Sequence, residues 1–160
     1  MKAYPPLLAD AAFAAMIAPE PFARGTARLV YDVPGDPDVV VKKSRQPFPG
    51  PNIMEWLIWG SAAAAQGTLA TILGRCIAIS ESRTWLMMER LDDLDPADHA
   101  DIGDVPVWFN DRKPDAFGKR DGMIKIRDYG VVHRAHLVSC DMTRPPAFAI
   151  HARMQRRLGG

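Results

Sequence analysis

The chain has 160 residues, enough for one domain with a sizeable core, and its 48% apolar and 24% charged content is that of an ordinary globular protein. A net charge of +1 gives no field that would hold nucleic acid or an anionic membrane surface, and no apolar run approaches the roughly 20 residues a membrane-spanning helix needs. The opening residues do not read as a secretory signal, and Cys76 and Cys140 are too few for a disulfide framework, so the expected setting is a reducing cytoplasm with both thiols packed as small hydrophobes.

Fourteen prolines favour short elements over a helical bundle. Residues 7–18 (LLADAAFAAMIA) are apolar almost all round and predict a short helix ended by Pro19, within an N-terminal helical extension over 1–20. Residues 21–43 read as a strand hairpin. Ala27, Leu29, Tyr31 and Val33 alternate along one face, Pro34-Gly35-Asp36-Pro37 is a turn, and the β-branched run Val39-Val40-Val41 ends in Lys42-Lys43. A strand ending in lysine is commonly just a solvated end.

Asn52 is placed to cap a helix over 53–66 that Gly67 closes. Met54, Leu57, Ile58, Ala62 and Ala65 recur at helical spacing as its apolar face, with Trp56 and Trp59 as anchors. Glu55 in the first turn complements the helix dipole. Residues 73–80 and 84–91 predict two strands joined by Glu81-Ser82-Arg83, the second carrying the apolar pair Met87-Met88. Asp92, Asp93, Asp95, Asp98, Asp101 and Asp104 make an acidic connector without a calcium-loop pattern, best read as a solvated loop or one helical turn.

Two short strands are expected next, over 105–109 and 123–127. In the second, Met123, Lys125 and Arg127 face one way, Ile124 and Ile126 the other. The loop between them holds Pro114, Gly118 and an Asp121-Gly122 turn, which marks a hairpin. Such a hairpin can bring Asp111 and Asp128 to one sheet edge. Two carboxylates beside Lys113 suit Mg²⁺ and phosphate, since hard cations take oxygen ligands. The same charges equally fit an exposed hairpin. The tail, 131–160, is basic, with Arg134, Arg144, Arg153, Arg156 and Arg157 against Asp141. Residues 148–158 read as a helix, and His133 and His136 lack a third metal ligand in view.

Several of these stretches, taken together, resemble the protein-kinase-like superfamily. Its catalytic segment reads His-Arg-Asp-x-Lys-Pro-x-Asn, then Asp-Gly-x-Ile-Lys-Ile-x-Asp-Phe-Gly. Here Asp111, Lys113 and Pro114 fall in step and are followed by Asp121-Gly122-Met123-Ile124-Lys125-Ile126-Arg127-Asp128-Tyr129-Gly130. Phe109 and Asn110 stand where the family has His and Arg, and Ala116 stands where it has Asn. Val39-Val40-Val41-Lys42 is similar to the family's Val-Ala-Ile-Lys. Residues 22–30 are similar to its Gly-rich loop, but only the central Gly25 is kept, with Ala23 and Arg28 at the other two places. A bulkier flap follows, in which Arg24 or Arg28 could offer charge to a phosphate.

The resemblance covers about residues 22–130 and implies one α+β domain over 1–160. Its N-lobe-like part (21–91) would have a five-stranded antiparallel sheet and one αC-type helix. A hinge connector and catalytic-loop hairpin (92–130), a strongly truncated C-lobe and the basic tail would follow. ATP and Mg²⁺ are the implied cofactors. Lys42 would hold the α/β-phosphates, Glu55 would orient Lys42, and the backbone from Glu89 to Leu91 would face the adenine edge. Asp128 would hold Mg²⁺, Asp111 would act as base and Lys113 would steady the γ-phosphate.

Two functions stay open. One is a small ATP/Mg-dependent phosphotransferase. The other, favoured because Ala116 cannot coordinate metal and the Gly-rich pattern is lost, is a pseudokinase that binds and modulates a cellular or host protein with weak or no nucleotide binding. The small size suits a phage or mobile-element inhibitor. A protein partner is expected, and neither nucleic acid nor membrane.

Overall fold

The structure, a computed structural model, describes residues 2–132 and 142–143. It has a mixed α+β fold built on one six-stranded sheet. The strands are β1 (Leu7–Leu8), β2 (Ala23–Arg24), β3 (Arg28–Asp32), β4 (Val39–Ser44), β5 (Cys76–Ser80) and β6 (Trp85–Glu89), in the order β1-β5-β6-β4-β3-β2. The β-branched run makes β4 a central strand. It pairs antiparallel with β3, Val30 opposite Lys42, and with β6, Val41 opposite Met87. Every residue of β6 is buried, because both faces of the sheet are covered.

Alternation along β6 divides the core. Trp85 and Met87 point to a cluster with Phe13, Tyr31, Val39 and Val41. Leu86 and Met88 point to the opposite cluster, with Leu73, Trp108, Phe109, Phe117, Ile126 and Tyr129. Each fully buried side chain of this size contributes about 1.5–3 kcal/mol. Helix α1 (Asp10–Met16) closes the first cluster by stacking Phe13 on Trp85, ring centroids 6.3 Å apart.

The expected sheet of five antiparallel strands is corrected to six. Its two outermost strands are two-residue edges, and β1 pairs parallel to β5, Leu7 opposite Ile79. Leu7-Leu8 opens a run that is apolar all round, and two residues cannot show a period of two, so the run read as helix.

Helix α2 (Gly50–Ala65) begins three residues earlier than expected. Pro49 is at its cap and Pro51 in its first turn, where the missing N–H costs nothing. Asn52 is therefore not the cap. It lies inside the helix, fully buried, and its Nδ2 donates to the carbonyls of Arg83 (3.2 Å) and Thr84 (2.8 Å). The apolar face is corrected as well. The buried residues are Asn52, Glu55 and Ala62, while Leu57 is 56% exposed. Gln66, in the left-handed region, ends α2, and Gly67 precedes a short helix α3 (Thr68–Ile72) that had no sequence signal.

The hairpin is real but has another first strand. β7 (Val105–Pro106) pairs with β10 (Met142–Thr143). The partner of β9 (Met123–Ile126) is β8 (Phe117–Arg120), with Phe117 opposite Ile126. The Asp121-Gly122 turn has φ +50° and +79°, as a tight two-residue hairpin requires. Phe-Gly-Lys-Arg shows no alternation and carries a glycine, so it read as loop. That glycine has a packing reason: a Cβ on Gly118 would lie 2.6 Å from Leu91 Cβ and 2.8 Å from the Asp92 carbonyl oxygen. There Asp92 and Lys119 exchange two backbone hydrogen bonds of 2.9 Å. The acidic connector holds a 3₁₀ turn, Pro96–Asp101, closed by a reciprocal Asp95–Asp98 cap. The expected helix over 148–158, the histidine pair, the tail arginines and Cys140 lie outside the described residues.

Candidate functional site

Strand alternation and register put Arg28 and Lys42 on one face of the sheet. Val30, two residues from Arg28, is the cross-strand partner of Lys42, so the two cations are diagonal neighbours. Helix α2 crosses that face and aims Glu55 at both. Glu55 is completely buried, and six hydrogen bonds converge on its carboxylate. Arg28 Nη1 donates to Oε2 at 2.7 Å and Nη2 to Oε1 at 3.0 Å, a bidentate pair. Lys42 Nζ donates to both oxygens at 3.1 Å. The amides of Tyr129 (3.1 Å) and Gly130 (3.2 Å) complete the set on Oε1.

The chain leaving β9 supplies the fourth charge. Lys42 Nζ also donates to the Arg127 carbonyl at 2.5 Å, and Arg28 Nη2 pairs with Asp128. Asn52 Oδ1 stands 3.5 Å from Arg28 Nη1. Gly130 is needed because this segment runs against the start of α2: a Cβ there would meet the Pro51 carbonyl oxygen at 2.5 Å. Tyr129, fully buried, donates its hydroxyl to the Gly74 carbonyl at 2.7 Å, with Cys76 Sγ 3.2 Å away.

Two cations and two carboxylates thus balance inside one small volume. Burial, then the neighbouring Arg28, pushes the Lys42 ammonium below its ordinary pKa. Burial also opposes the Arg28 charge, but Glu55 and Asp128 outweigh it and hold the guanidinium above its usual range. For Asp128, burial works to raise the carboxyl, yet Lys42 and Arg28 prevail and keep it low. Burial, with Glu55 next, pushes the Cys76 thiol up to about 12, so it stays protonated and inert.

Of the residues picked from the sequence, Lys42, Glu55 and Asp128 are brought together. Asp111 and Lys113 are not among the bonds of that cluster; they pair with each other at 3.3 Å, with Lys113 75% exposed. The hairpin begins at Phe117, so its pairing does not carry Asp111 to Asp128 as expected. Gly25 closes the β2–β3 turn through its N–H to the Arg28 carbonyl, 2.9 Å. The Glu89 N–H is taken by the Arg75 carbonyl (2.9 Å) and the Arg90 N–H by that of Asp38 (2.7 Å). The Glu89 side chain binds Lys125 at 2.6 Å, and Leu91 is buried against β8. Of the two arginines weighed for phosphate, Arg24 pairs with exposed Glu20 and Arg28 turns inward.

No family model and no curated protein matches the chain. Among the described residues, no group of three or more His, Cys, Asp or Glu is arranged to hold a metal. The Glu55 carboxylate is saturated by N–H donors and Asp128 is taken by Arg28, so the residues as placed do not fit Mg²⁺, which wants near-octahedral oxygen donors. The central part of Arg28 escaped the sequence reading, although its signal was present. The alternation that puts Ala27, Leu29, Tyr31 and Val33 on one face leaves Arg28 on the face that Lys42 shares. Asn52 and Tyr129 gave no such signal.

Proposed function

We propose that this chain is a kinase-like interaction protein, a pseudokinase that binds and modulates a cellular or host protein in the cytoplasm, with weak or no nucleotide binding. The observation that carries the reading is the Arg28 guanidinium bound to Asp128 and Glu55 at once. In a kinase-like site Asp128 would have to present a free carboxylate to Mg²⁺. Ala116, at the place of a metal-binding Asn, is buried, and its carbonyl receives the Arg127 N–H at 2.8 Å. The Glu89 and Arg90 amides, on the stretch that would face adenine, are already bonded. A small fold that keeps its frame and fills its own ligand site is suited to presenting surfaces.

The second reading, an ATP/Mg-dependent phosphotransferase with Asp111 as base, draws support from the formed Lys42–Glu55 pair. Calorimetry with ATP and Mg²⁺, beside a phosphate-transfer assay on cell extract, separates the two. We expect no measurable turnover and a partner whose capture survives Asp128→Ala. Micromolar ATP binding with turnover that vanishes in Asp111→Asn would restore the enzyme.

A further inference from the structure

One guanidinium is seated among three oxygen-bearing side chains. Arg28 Nη1 faces Glu55 Oε2 at 2.7 Å and Asn52 Oδ1 at 3.5 Å, and Nη2 faces Glu55 Oε1 at 3.0 Å and Asp128. Asn52 and Glu55 are both fully buried, and neither can turn away to solvent. Asp128 alone opens outward, with 42% of its side chain exposed. Two carboxylates and an amide oxygen around one point are hard donors of the kind a divalent cation takes. Here the point is filled by a side chain that cannot lose its charge, since an arginine held above its already high pKa stays protonated at every accessible pH.

We infer that Arg28 is a resident counter-cation that closes this oxygen set against divalent metal, and that removing its charge opens a latent cation site. With Arg28 present the four side chains sum to zero. Without it Lys42 alone faces two carboxylates, the set carries one net negative charge, and the volume of the guanidinium is vacated for a hydrated ion. Lys42 cannot replace Arg28, because its Nζ is already engaged by both Glu55 oxygens and the Arg127 carbonyl. The inference rests on the pseudokinase reading for the meaning of the site, but metal alone, without nucleotide or partner, decides it.

The probe is Mn²⁺, followed by electron paramagnetic resonance of the free ion and by broadening of the Tyr129 and Gly130 amide signals. Wild-type protein is expected to show no saturable binding at millimolar Mn²⁺ and no broadening. Arg28→Ala is expected to bind saturably, at least about tenfold more tightly than the millimolar limit that wild type sets, and Asp128→Asn on that background to remove the gain. Arg28→Gln, which is neutral but keeps the aliphatic stem and an amide donor, serves if the alanine variant does not fold. A folded Arg28 variant that binds no better than wild type overturns the inference. So does broadening at Tyr129 and Gly130 in wild type, a result that can be read even if neither variant folds; its absence supports closure. ATP turnover by a wild type that still excludes free Mn²⁺ would instead sink the functional reading alone.

Discussion

Two acid–base groupings of the molecule, the cluster around Glu55 and the Asp111–Lys113 pair, differ in kind. At Glu55 the charges are buried, shared among Arg28, Lys42 and Asp128, and supplemented by backbone amides. At Asp111 a single contact of 3.3 Å reaches a lysine that is mostly in water. A buried charge must be matched on every side, and among the described residues no buried side-chain nitrogen or oxygen lacks a partner. The exposed pair is held only by screened attraction. Burial, rather than sequence proximity, separates a structural charge from an incidental one here.

The largest loss of stability is expected at Glu55. Glu55→Ala leaves Arg28 and Lys42 buried with no shared carboxylate and should cost about 3–5 kcal/mol in urea unfolding. A loss below about 1 kcal/mol would mean that water already reaches the cluster. Gly130→Ala comes next. The added methyl must push the chain off the Pro51 carbonyl, and a loss of about 1–3 kcal/mol is expected, with Glu55 unchanged.

A smaller effect sharpens the picture at acid pH. The Asp128 pKa is lower in the folded chain than its ordinary 3.8, so the folded state binds fewer protons in that window. Its contribution is present above pH 3.8 and is lost as pH falls through the lower folded value. Because the side chain is 42% exposed, the loss should stay under about 1 kcal/mol. Asp128→Asn should flatten the stability profile of the wild type below pH 3.8. Lys113→Ala should do least, shifting stability by no more than about 0.5 kcal/mol. A larger loss would show that the exposed pair bears on the fold.

Much of the frame was legible because it is written in runs. Val39-Val40-Val41 and the stretch from Trp85 carry enough β-branched and apolar residues to announce central strands, and Asp121-Gly122 announces its turn. The pairing of Lys42 with Glu55 followed from motif order. What escaped was set by tertiary contact. β8 depends on Gly118 fitting beneath Leu91, and β1 on a two-residue match to β5. Asn52 looked like a cap because capping and burial use the same amide. Its true partners, the carbonyls of Arg83 and Thr84, lie about thirty positions away.

The stitching of the hairpin to the sheet has a consequence for motion. Asp92 and Lys119 exchange backbone bonds on one side, and the Gly74 N–H reaches the Ile126 carbonyl at 2.8 Å on the other. Each such bond is worth about 0.5–1.5 kcal/mol, and they hold the two different strands of the hairpin, so neither strand can lift from the sheet while the other stays bound. Amide hydrogens at Gly74, Asp92 and Lys119 should exchange with solvent only when both seams part together. Slow, matched exchange at these three positions would mark a body that works closed.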